Sequence, residues 1–271
     1  VRSSAASDVY KRQDYIILDP VVETGWESIL QEARDAGIPV ILSDRSVELE
    51  DDSLYTCWVG SNFQEEGENA GKWLADYLKQ QGMEDTVNIV ALQGTLGSTA
   101  QIGRTKGFEA VCRQHPEWNL LESRPADFTQ AKGKEVMEDF LRLYEDIDVV
   151  ISENDNMTFG AIDAIEQAGK TCGPDGDICI ISFDAVQAAL IAMQNGKINA
   201  DFECNPLLAP KVEEVIRRLE KGEQVEKMQY IDETYYDSSM DLSKVIDQER
   251  NGNENLSLIH ISEPTRHLRI S

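Results

Sequence analysis

Unbroken apolar runs alternate along this chain with segments of helical period, and that alternation restricts it to an α/β fold. The runs are YIIL (15–18), PVILSD (39–44), TCWVGSN (56–62), VNIVALQG (87–94), DVVIS (148–152), DICIISFD (177–184) and INADFEC (198–204). A strand apolar on both sides is covered on both sides, which is the condition of a parallel sheet flanked by helices. The intervening segments carry one apolar face each. Trp26, Ile29, Leu30 and Ala33 fall at i, i+3, i+4 and i+7, and Ala70, Trp73, Leu74, Tyr77 and Leu78 form a second such face. Val136, Phe140 and Leu143 are expected to point inward from a third helix, and Val186, Ala189, Leu190 and Met193 from a fourth. Gly37, Gly169 and Gly222 stop helices.

Charge and cysteine content narrow the function. A formal net charge of −25 over 271 residues makes a nucleic acid an unsuitable partner. No apolar run approaches the roughly 18 residues of a membrane span. The five cysteines (57, 112, 172, 179 and 204) have no zinc-ligand spacing, so they read as buried or loop thiols, with room for one disulfide of undetermined pairing. No metal or cofactor is expected. GTLGS (94–98) lacks the Gly-Lys-Ser/Thr ending of a phosphate loop.

The two ends differ in character from the rest. Residues 3–13 (SSAASDVYKRQ) and 256–271 (LSLIHISEPTRHLRIS) back-translate to transposase sequencing adapters, and we set 1–13 and 256–271 aside as foreign. The native portion is then 14–255, and the expectation is that it is truncated at its start, any signal peptide having been lost.

In open α/β sheets, ligands bind beyond the carboxyl ends of the strands. Unusual polar residues fall there repeatedly. Asp44 and Arg45 follow PVILS, and Glu153, Asn154 and Asp155 follow DVVIS. Asp184 ends DICIISFD, Glu203 lies near the end of INADFEC, and Arg104 sits in the helix after VNIVALQG. Carboxylates only accept hydrogen bonds, guanidinium only donates, and amides do both, so the set suits a molecule with adjacent hydroxyls. The Asp44–Arg45 pair reads as a polyol clamp, with Phe128 as the aromatic cover for a sugar's C–H face. Plainer roles compete. Asp184 and Asp155 could be helix caps, Arg104 a surface helix residue, and Asp44–Arg45 a local ion pair of little value. Phe63, Phe108 and the tryptophans read as core, and His115, beside Pro116, as structural.

The segments SDR, GRTKGFE, ADFTQAKGKEVME, SENDNMTFGAIDAIEQAG and SFD together resemble the type 1 periplasmic sugar-binding proteins of ABC transporters. DYIILDPVVETGWESIL and DFTQAKGKEVME are most similar to the galactofuranose-binding branch. The resemblance spans essentially all of 14–255. It implies two α/β lobes joined by three strand crossings, near 60–63, 203–206 and 229–232, with the sugar between them. The first lobe would be 14–62 plus about 205–230, and the second 63–204 plus 231–255. It implies sugar-binding roles for Asp44, Arg45, Arg104, Asn154 and Asp184, and a polar role for Glu203 at the second crossing. DYIILDP resembles the family's third strand, so two strand–helix units, roughly 60 residues at about 30 per unit, would be absent and the first lobe incomplete. Gln130 stands where many relatives carry arginine.

The function this implies is the substrate-binding protein of a carbohydrate ABC importer. Its partners would be a monosaccharide, with galactofuranose the candidate, and the transporter permease. It would be a monomer, periplasmic or extracellular, meeting the membrane only through the transporter or a lost lipid anchor. The alternative is the effector domain of a LacI-type repressor, which shares the fold and needs a helix-turn-helix ahead of Asp14. An enzyme, such as a glycosidase using two of Asp44, Asp184 and Glu153, needs a set carboxylate separation and finds no supporting motif.

Overall fold

The structure is a computed structural model that describes residues 14–83 and 85–247. The adapter-like segments 1–13 and 256–271 lie outside the described residues. Two sheets account for the described strands. The first has the order β1-β2-β3-β9, from β1 (Ile16–Leu18), β2 (Val40–Ser43), β3 (Cys57–Gly60) and β9 (Met228–Tyr230). The second has the order β10-β8-β7-β6-β4-β5. It is built from β4 (Val87–Gln93), β5 (Trp118–Pro125), β6 (Val149–Ser152), β7 (Cys179–Asp184), β8 (Ala200–Glu203) and β10 (Tyr235–Asp237). Every pairing is parallel except β10 against β8. The chain is therefore α/β with parallel sheets flanked by helices, as the apolar runs require.

Helices cover both faces of each sheet. Helix α1 (Glu27–Asp35) packs Leu30 and Ala33 on Val40, Leu42 and Trp58 of the first sheet. Helix α7 (Ala209–Glu220) covers the opposite face through Val212 and Val215, against Ile41, Cys57 and Val59. On the second sheet, α2 (Phe63–Gln81) and α3 (Thr99–Cys112) meet Ile89, Ile151, Ile181 and Phe183. Helices α4 (Gln130–Leu143), α5 (Asp155–Gln167) and α6 (Gln187–Gln194) meet Val90, Leu92, Val150 and Ile180 on the other side. The two faces alternate residue by residue along β4 and β6, the period of a pleated strand.

Some expectations from periodicity fail. Leu143 is 59% exposed, and Met137 takes its place in the core beside Val136 and Phe140. Leu143 is the last residue of α4, where the helix runs past the sheet. Ile29, at 56% exposed, lies off the buried stripe of α1. Val186 precedes α6 as its N-cap and is 43% exposed. Strand β5 was not expected at all. It is the edge of the six-stranded sheet, and in its sequence WNLLESRP only Trp118 is buried, with Asn119 and Pro125 exposed and the rest half-buried, so it lacks a continuous apolar run. We expect Leu143→Ala and Ile29→Ala each to change stability by less than about 0.5 kcal/mol, as surface substitutions do; urea unfolding of the two variants checks this.

The cysteines are all free thiols, with Cys57, Cys172 and Cys179 buried. His115 stacks on Trp118 at 4.3 Å and meets Glu117 at 2.8 Å, the structural role expected of it. Phe63, Phe108, Trp58 and Trp118 are core, while Trp26 and Trp73 are half-buried at its margin. Among the described residues no helix is long and apolar enough to cross a membrane.

The chain passes between the sheets three times. It leaves β3 through Ser61 and Asn62 into α2, leaves β8 through Cys204 and Asn205 toward α7, and leaves β9 through 231–234 into β10. The three passages lie side by side. Ser61 Oγ donates to Glu233 Oε1 at 2.6 Å and lies 3.4 Å from Cys204 Sγ. Asn205 N donates to the same Glu233 oxygen at 2.8 Å.

Candidate functional site

Arg104 organises the centre of the molecule. It is 2% exposed, which rules out the surface-helix reading. Its Nε donates to Glu66 Oε2 at 2.7 Å, one terminal nitrogen to the Glu153 carbonyl, and the other to Asp184 Oδ1 at 3.2 Å. Its guanidinium also lies 5.3 Å from the Phe63 ring centre and 4.9 Å from that of Phe183, within cation–π range. Burial opposes its charge, but the carboxylates of Glu66 and Asp184 outweigh that and hold it firmly protonated. The position depends on how closely α2 and α3 pack. A Cβ on Gly67 would stand 2.2 Å from the Arg104 carbonyl oxygen, so only glycine there lets the helices bring Glu66 beside the guanidinium.

Asp184 and Asn154 sit at the carboxyl ends of β7 and β6, as the strand-end rule requires. Asp184 is not a helix cap, since Val186 caps α6; its backbone is left-handed, with φ of 103°, and its side chain is 30% exposed. Burial raises its pKa, and Arg104 opposes the shift. Asn154 is the N-cap of α5, accepting from Met157 N at 3.0 Å, while its amide nitrogen reaches the Phe128 carbonyl at 3.5 Å. Asp155 is buried and structural: it accepts from Ser182 Oγ at 2.6 Å and from Val186 N at 2.8 Å. Glu153 is buried and structural, accepting from Gly94 N at 2.7 Å and from Thr105 Oγ1 at 2.5 Å.

The first sheet contributes Asp44 and Arg45. Asp44 follows β2 in a left-handed conformation, φ 61°. Burial raises its pKa, repulsion by Asp19 adds to this, and Arg45 and Arg104 oppose it. The Asp44–Arg45 contact is loose, 3.7 Å from Nε to Oδ2. Arg45 Nε is buried and has no hydrogen-bond partner. Its guanidinium lies 5.6 Å from the ring centre of Phe128, which belongs to the second sheet's side of the molecule. Phe128 is itself left-handed, φ 56°, and rests on Gly94, where a Cβ would approach its ring to 1.9 Å.

Asp44, Arg45, Arg104, Phe128, Asn154 and Asp184 are thus brought together from both sheets. Glu203 is not part of that group: its carboxylate accepts from Thr234 N at 3.1 Å, which ties two strand crossings together. Asp19, just after β1, was missed, although it follows the same strand-end pattern as Asp44. Glu66 was missed too. It lies in the first turn of α2, where an acidic residue reads as a helix-dipole partner. Burial pushes its pKa up to about 8 despite Arg104. Ligand atoms of Glu66, Cys204 and Glu233 lie within 4.8 Å of one another, the one grouping of metal-ligating type among the described residues.

Comparison with known proteins gives a consistent pattern. The model of the periplasmic binding protein domain matches residues 5–205. The galactofuranose-binding protein YtfQ of Escherichia coli (strain K12) is 39% identical over 240 residues, covering 87% of this chain and 72% of that protein. Among solved structures, the periplasmic binding protein of the arabinose ABC transporter from Shewanella sp. ANA-3, bound to α- and β-L-arabinofuranose, superposes with a TM-score of 0.85. It shares 36% identity and covers 98% of this chain and 85% of that one. A Mycobacterium smegmatis protein in complex with β-D-fucofuranose gives a TM-score of 0.83 at 38% identity, covering 95% of this chain and 83% of that one.

Proposed function

The chain belongs to the periplasmic binding protein domain family, and from that premise we propose that it captures a monosaccharide for a carbohydrate ABC importer. The two sheets with their helices are the two lobes, 14–62 plus about 205–230 and 63–204 plus 231–247 of the described residues, with 248–255 of the expected second lobe outside them, and the crossings between them are the hinge. The sugar lies between Asp44 and Arg45 on one side and Phe128, Asn154 and Asp184 on the other. Arg104 reaches it from the floor beside Asp184. A furanose, galactofuranose above all, is the candidate ligand, since YtfQ and the two furanose-bound structures are among the nearest relatives found. The chain works as a monomer in the periplasm or outside the cell, hands its sugar to a permease, and catalyses no reaction.

The observation that carries this reading is the unsatisfied Arg45 Nε, a buried donor that faces an aromatic ring from the other sheet. Buried polar groups are nearly always hydrogen-bonded, and a sugar hydroxyl held over the Phe128 ring supplies the missing acceptor. Calorimetric titration with galactofuranose, arabinofuranose and their pyranose forms tests the proposal. Binding of one furanose per chain is expected. Asp44→Ala should weaken it by roughly ten- to hundredfold, the loss of one charge-assisted bond of about 1.5–3 kcal/mol. Affinity unchanged by Asp44→Ala sinks the clamp, and no response to any sugar sinks the function.

A further inference from the structure

We propose that the three strand crossings carry a cation site in which Glu66, Cys204 and Glu233 hold one thiophilic divalent ion. Each ligand comes from a different passage of the chain. Glu66 follows the first crossing, Cys204 lies in the second, and Glu233 in the third. One ligand atom from each falls within 4.8 Å of the others. That grouping alone would carry little, since acidic residues often gather without an ion. The second observation is the state of Glu66. The residue is 6% exposed, its Oε2 is taken by Arg104, and its Oε1 is buried with no hydrogen-bond partner. A buried carboxyl oxygen left so is costly unless a cation or a hydrogen-bonding partner meets it.

The donor set selects the ion. Calcium and magnesium take oxygen ligands, whereas a thiolate selects zinc and softer ions. Once deprotonated, two carboxylates and a thiolate carry three negative charges; a divalent ion offsets two of them, and Arg104 is shared between Glu66 and Asp184. Three protein ligands leave the fourth tetrahedral position to water. Cys204 and Glu233 are only half-buried, which gives the ion a route in. Ser61 steadies two of the ligands, donating to Glu233 and touching the Cys204 sulfur. Zinc bonds of about 2.3 Å to sulfur and 2.0–2.2 Å to oxygen draw the three passages inward. On binding, the Cys204 S–H and Glu66 O–H bonds break as the sulfur–metal and oxygen–metal bonds form, and both protons leave to buffer; nothing is oxidised or reduced. An ion here ties together all three passages and limits how far the lobes can swing.

The probe is Cd2+ alone, and separately Zn2+ alone, titrated into the reduced, chelator-treated, sugar-free chain. Uptake of one equivalent is expected, with an ultraviolet thiolate–Cd2+ charge-transfer band. Cys204→Ser should abolish the band and weaken uptake by at least about tenfold, since even loss of a group that only orients a ligand costs 10–100-fold. Glu233→Gln should weaken uptake similarly without removing the thiol, so one variant remains informative if the other folds poorly. Cys112→Ser, which alters the other half-buried thiol, should change nothing. Substoichiometric uptake, or a band that survives Cys204→Ser, overturns the site and means that a proton alone occupies the cluster. Because no sugar is present, either result leaves the proposed sugar function untouched.

Discussion

Arg104→Ala is expected to lower the free energy of unfolding by about 3–5 kcal/mol, the scale seen when one partner of a buried ion pair is removed. The guanidinium fills the space between Glu66, the Glu153 carbonyl, Asp184 and two aromatic rings. Truncation strands two carboxyl groups that burial already disfavours as anions. Arg104→Lys should recover only part of the loss, because a point charge cannot serve three acceptors set around a planar fork. Urea unfolding of the three proteins decides the matter. A loss below about 1 kcal/mol in the alanine variant would mean that water enters and replaces the guanidinium, and that the network contributes little to stability.

The second large effect is on pH. Burial raises the pKa of Glu66 to about 8, and those of Glu153 and Asp155 to about 7. In the unfolded chain these groups ionise near 4. Between those limits the folded state binds more protons than the unfolded state, so stability falls as pH rises. The contribution is fully present below pH of about 4 and is lost as pH climbs through about 7 and 8. The net charge of −25 acts in the same direction, since self-repulsion grows as carboxyls ionise. The exposed Asp177 and the half-buried Glu122, held below the usual range by hydrogen bonds from Thr171 and Arg124, oppose the trend, but solvent weakens them. The expected result is a decline of several kcal/mol between about pH 5 and 8, followed by urea midpoints at fixed ionic strength. Glu66→Gln should flatten the upper part of that decline. A stability that rises with pH over this range would show that the three carboxyls are ionised in the folded protein.

The strands that the sequence revealed were mostly those buried on both sides, such as VNIVALQ and CIISFD, where tertiary packing and local pattern agree; β1, an edge strand with Ile17 55% exposed, is the exception. The strands it hid are β5, β9 and β10: β9 and β10 are three residues each, and β5 has one neighbour and follows Leu120 and Leu121 with Glu122, Ser123 and Arg124, so its pairing with β4 rather than its own composition makes it a strand. Helical faces were legible in mid-helix and failed at ends, as Leu143 and Val186 show. For the site, the strand-end rule found Asp44, Asn154 and Asp184 because position along a strand is written in the apolar run before it. It could not find Glu66. Nothing local separates a carboxylate that caps a helix dipole from one that pairs with an arginine 38 residues on; the glycine contact between α2 and α3 makes that difference, and it exists only after folding. The contact that Glu203 makes was hidden for a related reason. Its partner Thr234 arrives from the third crossing, and sequence spacing does not reveal that meeting.

The left-handed residues around the cleft bear on how a ligand is received. The non-glycine residues with positive φ among those described are Asp44, Asp127, Phe128, Asp184 and Ala185, all at the strand ends and loops that meet there. Each such conformation costs of order 1–3 kcal/mol and persists only where its surroundings enforce it. The chain therefore surrenders this disorder when it folds and has little left to give up on encounter. Loop ordering, which often slows association and drains affinity, is largely absent from the event. If the two sheets close on a sugar as proposed, the strand-end loops meet it already shaped, and the heat of binding reflects the hydroxyls enclosed rather than loop ordering.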